Sequence, residues 1–307
     1  MKHKSKKNQI DPDEVDKQRM KRTKLTVEEI PVPGEFMHPP PPDDRLPKHE
    51  FTMGIIAPKG SGKTTLICNL LKFYKGFFHT IVIFSPTIAS DEKWDYIRTL
   101  PLLADNKALR EFLFKQQRQT SRNGIVENAP TNIPKIPKFD PYIPDSCFKT
   151  EYKESDLQEI LEDQMAMVKY LKSKKLSKHT ANRCLFVFDD LVGSSLYSGR
   201  QDNFFKKFNT NHRHYSCSAL EITQAYKEIP KTIRTNFSTG ILFEITNDKE
   251  LEAIYEETPL GLRKEPWMAV YNHCVSDDYS FMYFNYQKPK KMRIMKNFDS
   301  YLMTDSK

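Results

Sequence analysis

The chain has 307 residues, of which 38% are hydrophobic and 29% charged, and its 48 Lys and Arg against 40 Asp and Glu leave a formal charge of +8. That length suits one large α/β domain with extensions, or two small domains. No apolar run approaches the roughly 20 residues that span a bilayer, and the start, MKHKSKKNQIDPDE, lacks the apolar core of a secretory signal, so no membrane association is expected.

Five cysteines, Cys68, Cys147, Cys184, Cys217 and Cys274, are scattered without metal-ligand spacing. They point to buried thiols in a reducing compartment. The basic balance favours a polyanionic partner such as nucleic acid, although much of the excess sits in the first residues. Residues 1–48 are Lys-rich and then Pro-rich, with Pro39-Pro40-Pro41-Pro42, and sustain no hydrophobic period. They are expected to be a flexible arm, serving either as a phosphate-binding or nuclear-address segment or as a solubilising tail.

Residues 51–71, FTMGIIAPKGSGKTTLICNLL, predict a buried strand, a small-residue turn and a helix. The turn Ala57-Pro58-Lys59-Gly60-Ser61-Gly62-Lys63-Thr64, followed by Thr65, matches the P-loop pattern with Ala at its first Gly position. Backbone amides must close around a polyphosphate there, which requires Gly60 and Gly62. Lys63 is then placed for the β- and γ-phosphates, Thr64 for Mg²⁺, and the helix N-terminus for the remaining negative charge. An NTP site follows from this stretch.

Thr80–Phe84 is a β-branched run of the kind a parallel sheet buries. Asp91–Leu100 and Lys107–Gln117 predict helices. Residues 119–150 carry Pro130, Pro134, Pro137, Pro141 and Pro144 and are expected to be an irregular insertion, either a partner-facing loop or a passive one. Asp156–Lys172 restores a helical period through Leu157, Ile160, Leu161, Met165, Val168 and Leu171.

Cys184–Phe188 followed by Asp189-Asp190 has the Walker B form, a buried strand whose carboxyl end points at the nucleotide. Asp189 is the candidate Mg²⁺ support, and Asp190 the candidate base for the attacking water. Paired carboxylates there are expensive without a cation, which favours function over an ordinary Asp-Asp turn. Asn203–Asn209 predicts a helix. Cys217–Thr223 predicts a strand between the P-loop and Walker B strands, ending in Gln224, either a γ-phosphate sensor or a capping amide. Gly240–Ile245 is a further strand, and Asn247 or Asp248 caps a helix through Glu257. Met268–His273 and Ser280–Tyr286 alternate across Ser276-Asp277-Asp278, which predicts an edge hairpin, and residues 288–307 a loosely held basic tail. His212, Arg213, His214 and Arg234 have no evident packing reason. Arg213 or Arg234 is a candidate to face a γ-phosphate, with a solvated or carboxylate-paired surface arginine as the alternative.

Taken together, APKGSGKTT after an apolar strand, LFVFDDL, ALEITQAY, and PKTIRTN followed by TGILFEI resemble the viral DNA-packaging ATPases of the poxvirus type. That family is shared by nucleocytoplasmic large DNA viruses within the FtsK/HerA group, and the resemblance covers about Phe51–Ile245. It implies an ASCE-type α/β fold over residues 49–287, a central mostly parallel sheet flanked by helices, and a homo-oligomeric ring. It also implies ATP and Mg²⁺ as ligands, double-stranded DNA as substrate, capsid or portal vertex proteins as partners, and an infected host cell as the setting, in a cytoplasmic virus factory or the nucleus. Lys63 and Thr64 would bind phosphate and Mg²⁺, Asp189 would support the metal, Asp190 would act as base and Gln224 as sensor. FtsK/HerA proteins commonly carry Asp-Glu where this chain has Asp189-Asp190, so the shorter carboxylate must sit closer to the water or act through a second one. A helicase-like or DNA-transfer ATPase and a weakly hydrolysing assembly adaptor are the alternatives.

Overall fold

The computed structural model describes residues 38–122, 138–197 and 203–302. The strands are β1 Thr52–Ile56, β2 Thr80–Phe84, β3 Phe148–Lys149, β4 Cys184–Asp189, β5 Cys217–Thr223, β6 Thr239–Leu242, β7 Met282–Asn285, β8 Ile294–Lys296 and β9 Ser300–Tyr301. Among the described residues the helices are α1 Lys63–Phe73, α2 Glu92–Arg98, α3 Lys107–Arg122, α4 Glu154–Ser173, α5 Phe204–Asn211, α6 Lys231–Arg234, α7 Asp248–Glu257 and α8 Lys264–Cys274.

Among the described residues nine strands form one sheet in the order β3-β2-β4-β5-β1-β6-β7-β8-β9. The first six run parallel, and β7, β8 and β9 are antiparallel additions at one edge. Every residue of β1, β4 and β5 is buried, as expected of parallel strands covered on both faces. The alternation of side chains splits these runs between two cores. Met53, Ile55, Leu185, Val187, Leu220 and Ile222 join α1 and α2 on one face, where Trp94 is fully buried. Phe186, Phe188 and Ala219 join α5 and α8 on the other. There Phe188 stacks on Phe84 at 5.4 Å between ring centres and meets Phe205 edge-on at 4.8 Å.

The ASCE-type expectation is met, because β5 lies between the P-loop strand β1 and the Walker B strand β4. Local chemistry sets the helix starts. Asp91 accepts from the Lys93 amide, Asn203 from that of Lys206, and Asn247 from those of Lys249 and Glu250.

Three differences from the sequence expectations have physical reasons. Met268–His273 lies within α8, because Trp267, Tyr271 and Cys274 recur at helical spacing and are all buried. The edge hairpin is built one element later, from β7 and β8. Residues 288–302 are not a loose tail. Ile294 and Met295 are buried, and β8 and β9 extend the sheet; the many lysines around them hide that apolar pair in a composition count. The segment before β1 is packed as well. Leu46 is buried, the Arg45 guanidinium donates to the Phe298 carbonyl at 2.7 Å, and the Tyr74 hydroxyl donates to the Pro47 carbonyl at 2.7 Å. Residues 1–37 of the expected arm and 123–137 of the expected insertion lie outside the described residues.

Candidate nucleotide site

The P-loop joins β1 to α1. Its start is tied to the end of β5, where the Ala57 amide donates to the Thr223 carbonyl at 3.0 Å. The Ser61 amide and hydroxyl both reach the Pro58 carbonyl, at 3.2 and 2.8 Å, and close the turn. Gly60 and Gly62 sit at φ of +83° and +86°, a region that L side chains rarely adopt. A Cβ on Gly62 would also come within 3.3 Å of the Tyr279 ring. Helix α1 has no acidic residue in its first turn, and Gly62 offers it no side-chain cap. Its leading amides therefore remain available to an anion.

The carboxylates of β4 face this loop. Asp189 is fully buried, with one oxygen accepting from the Ser85 hydroxyl at 2.7 Å. Its other oxygen has no hydrogen-bond partner among the described residues and lies 4.0 Å from the Lys63 ammonium. Burial raises the pKa of Asp189, with the Ser85 hydrogen bond and Lys63 opposing it. An unpaired buried carboxylate oxygen behind Lys63, which lines a pocket together with Thr64, offers with the Thr64 hydroxyl a hard-oxygen donor set that fits Mg²⁺. Thr64 and Asp189 are the residues that would hold it.

Asp190 is different. Its φ of +52° turns it out of the strand, and its amide donates to the Ile222 carbonyl at 3.1 Å. One carboxylate oxygen is 2.9 Å from the Lys63 ammonium. The Gln224 side-chain amide donates to both oxygens, at 3.1 and 2.9 Å. Lys63 from the start of α1 and Asp190 and Gln224 from just past β4 and β5 thus converge. They line an open pocket of about 580 Å³ with Lys59 and Lys93. A second hollow of about 680 Å³ lies between Pro58–Ser61, the end of β6 and the turn carrying Tyr279.

Ser85, Lys93 and Tyr279 belong to this region and were not singled out in the sequence. Ser85 follows β2, and only the pairing of β2 with β4 shows that its hydroxyl meets Asp189. Ser85 is itself held by Thr87 at 2.9 Å, and Thr87 by the Trp94 indole at 3.1 Å.

The basic candidates do not converge here. Arg234 is committed to packing. Its guanidinium forks onto Glu257 at 2.7 and 2.8 Å, donates to the Ile229 carbonyl at 2.8 Å, and covers the Tyr226 ring. Arg213 is exposed and precedes β5, so the seven residues of that strand, about 20 Å of chain, separate it from Gln224. It does not reach the phosphate site of its own chain. His212 has the packing reason the sequence did not show: it is buried, with its ring nitrogens against the Asn209 and Glu50 carbonyls at 2.8 and 3.2 Å.

Residues 131–278 match the family model described as Poxvirus A32 protein. No curated protein matches the chain. Among solved structures, the genome packaging NTPase B204 from Sulfolobus turreted icosahedral virus 2 in complex with sulfate is 13% identical, with 80% of this chain and 96% of that one covered and a TM-score of 0.47. The same protein in complex with AMP is 12% identical, with 77% and 93% covered and a TM-score of 0.46. The pCW3 conjugation coupling protein TcpA with ATPγS is 10% identical, with 76% and 57% covered and a TM-score of 0.39. The family match spans just under half of the chain and leaves out the P-loop, whose assignment rests on its own geometry. Across residues 131–278, which carry the Walker B strand and the Gln224 strand, this chain is similar to the poxvirus A32 protein family, as its motifs imply.

Proposed function

We propose that this chain is a viral genome-packaging ATPase whose hydrolysis of ATP drives double-stranded DNA into a capsid. One observation carries the chemistry. Lys63, Asp190 and Gln224 are joined in a single network at the ends of three adjacent parallel strands, with the buried Asp189 behind them. The family match on residues 131–278 supplies the packaging context.

In this reading the phosphates settle on the P-loop amides and draw the Lys63 ammonium toward them. Asp190 loses its ion pair and is left to accept a proton from the attacking water, while Gln224 holds the carboxylate and the water in line. Mg²⁺ on Thr64 and Asp189 would neutralise charge on the phosphate oxygens. The hollow walled by Tyr279 leaves room for the nucleoside, and its ring, 71% exposed, is free to stack on a base. A homo-oligomeric ring would let an exposed Arg213 act on a neighbour's phosphates, and it would dock on a capsid or portal vertex in the infected cell's virus factory or nucleus. Among the described residues, no helix is long and apolar enough to cross a membrane.

ATPase rates with and without double-stranded DNA test the reading in wild type, Lys63→Ala and Asp190→Asn. Wild type is expected to be stimulated by DNA, and both substitutions to lower kcat by about 10²–10⁴-fold. Turnover indifferent to DNA and to both substitutions would sink it. Protection of DNA from nuclease in the presence of empty capsids separates packaging from bare translocation.

A further inference from the structure

Away from the nucleotide pocket, four of the chain's eight histidines crowd around Glu50, just before β1. Two of them are committed elsewhere. His49 faces the Ser218 hydroxyl at 2.8 Å and the Ser216 carbonyl at 3.1 Å, and His212 spans two backbone carbonyls. The other two are not. His38 and His179 pack edge-on with ring centres 4.0 Å apart, and each leaves a buried Nδ1 without a partner among the described residues. His38 Nε2 is 3.1 Å from Glu50 Oε1. One donor atom from each of His38, Glu50 and His179 lies within 4.8 Å of the other two.

Glu50 is held for this position. Its φ is +67°, unusual for a side chain of its size, and its amide and carbonyl are pinned by the Ser218 hydroxyl at 3.0 Å and by His212 at 3.2 Å. The Lys178 ammonium stands 2.6 Å from the same carboxylate oxygen, so the cluster already attracts a cation.

We propose that His38, Glu50 and His179 bind one Zn²⁺ ion per chain. Two imidazoles and a carboxylate are borderline ligands suited to zinc, which takes them at about 2.0–2.2 Å and leaves a fourth position to water. Tetrahedral ligand atoms then lie on the order of 3.3 Å apart, so side-chain rotations of about an ångström close the observed set. Lys178, on a partly exposed side chain, swings into solvent as the metal enters. Glu50 precedes β1 and His179 precedes β4, at the end of the sheet opposite Lys63. The ion therefore has no part in hydrolysis. It fastens the 38–50 segment to the turn before the Walker B strand.

The test uses the full chain, stripped with a chelator that is then removed, in excess Mg²⁺ to fill any hard-oxygen site. Co²⁺ is followed by its visible absorption and Zn²⁺ by calorimetry. One saturable site per chain is expected. His38→Ala and His179→Gln should each weaken it at least tenfold, Lys178→Met should tighten it, and His273→Ala, an exposed histidine elsewhere, should leave it unchanged. His179 sits in a partly exposed turn, so His179→Gln retains the fold, and zinc should raise the Tm of wild type but not of this variant. Absence of saturable binding at micromolar metal, or binding that survives both histidine substitutions, overturns the proposal and leaves Lys178 as the cation of a hydrogen-bonded cluster.

Discussion

Replacing Glu221 by Gln is expected to stabilise the fold, and to do so more strongly as the pH rises. Glu221 lies in mid β5, opposite Gly54 of β1 and Phe188 of β4, and is fully buried. Neither carboxylate oxygen has a hydrogen-bond partner among the described residues. Burial pushes its pKa from 4.5 to about 8, with Asn209 pulling weakly the other way. Below pH 4.5 the group is protonated in both folded and unfolded chains and exacts no penalty. Between 4.5 and about 8 the unfolded chain ionises while the folded one does not, and stability falls by about 1.4 kcal/mol per pH unit. Above about 8 both states are ionised and the loss levels off. The interval caps the penalty at about 5 kcal/mol. Gln has nearly the same volume and does not ionise, so the difference between variant and wild type isolates this one group. Urea denaturation at about pH 5, 7 and 9 should give a difference that grows from about 1 to about 3–5 kcal/mol. A difference independent of pH, or a variant less stable throughout, would falsify the assignment of a buried proton to Glu221.

Gln224→Ala should lower kcat by about 10²-fold with little change in the KM for ATP, since the amide touches Asp190 rather than the loop; steady-state kinetics over a range of ATP concentrations decide it. Ser85→Ala strips the buried Asp189 of its hydrogen-bond donor and should destabilise the nucleotide-free chain by about 1–3 kcal/mol, and less with Mg-nucleotide bound, as read by urea denaturation in both states. Arg234→Ala should cost about 1–3 kcal/mol near neutral pH, discounted for the solvent that still reaches the pair. Arg234 holds the Glu257 pKa below its ordinary 4.5, so that contribution is present above pH 4.5 and fades as the pH falls through the lowered value. A variant of unchanged stability at neutral pH and reduced turnover would instead return Arg234 to the list of phosphate-facing arginines.

Much of the parallel sheet was legible because strands buried on both faces must be almost wholly apolar. Thr80–Phe84 and Cys184–Phe188 stand out for that reason, whereas Cys217–Thr223 is just as buried despite Ser218, Glu221 and Thr223. The loop glycines and the acids at the end of β4 stood out as a motif because polyphosphate and metal chemistry tolerates few substitutes, and the structure brings them together. What stayed hidden was set by tertiary partners. Arg234 looks free until Glu257, 23 residues on, is folded against it. Ser85 is an ordinary hydroxyl until β2 is paired with β4 and brought to a residue 104 positions away. Short alternating and helical patterns coincide over Met268–His273, and only the burial of Trp267 and Tyr271 on one face decides between them.

The ion pair between Lys63 and Asp190 gives the pocket its own counter-charge. In the proposed mechanism Asp190 is held by Lys63 until a phosphate competes for the ammonium, so the residue that would activate water stays masked until then. Arrival of the nucleotide would then also be the event that arms the proposed base. Under that proposal the hydrolytic machinery would stay switched off between turnovers, with each unmasking matched to one bound triphosphate.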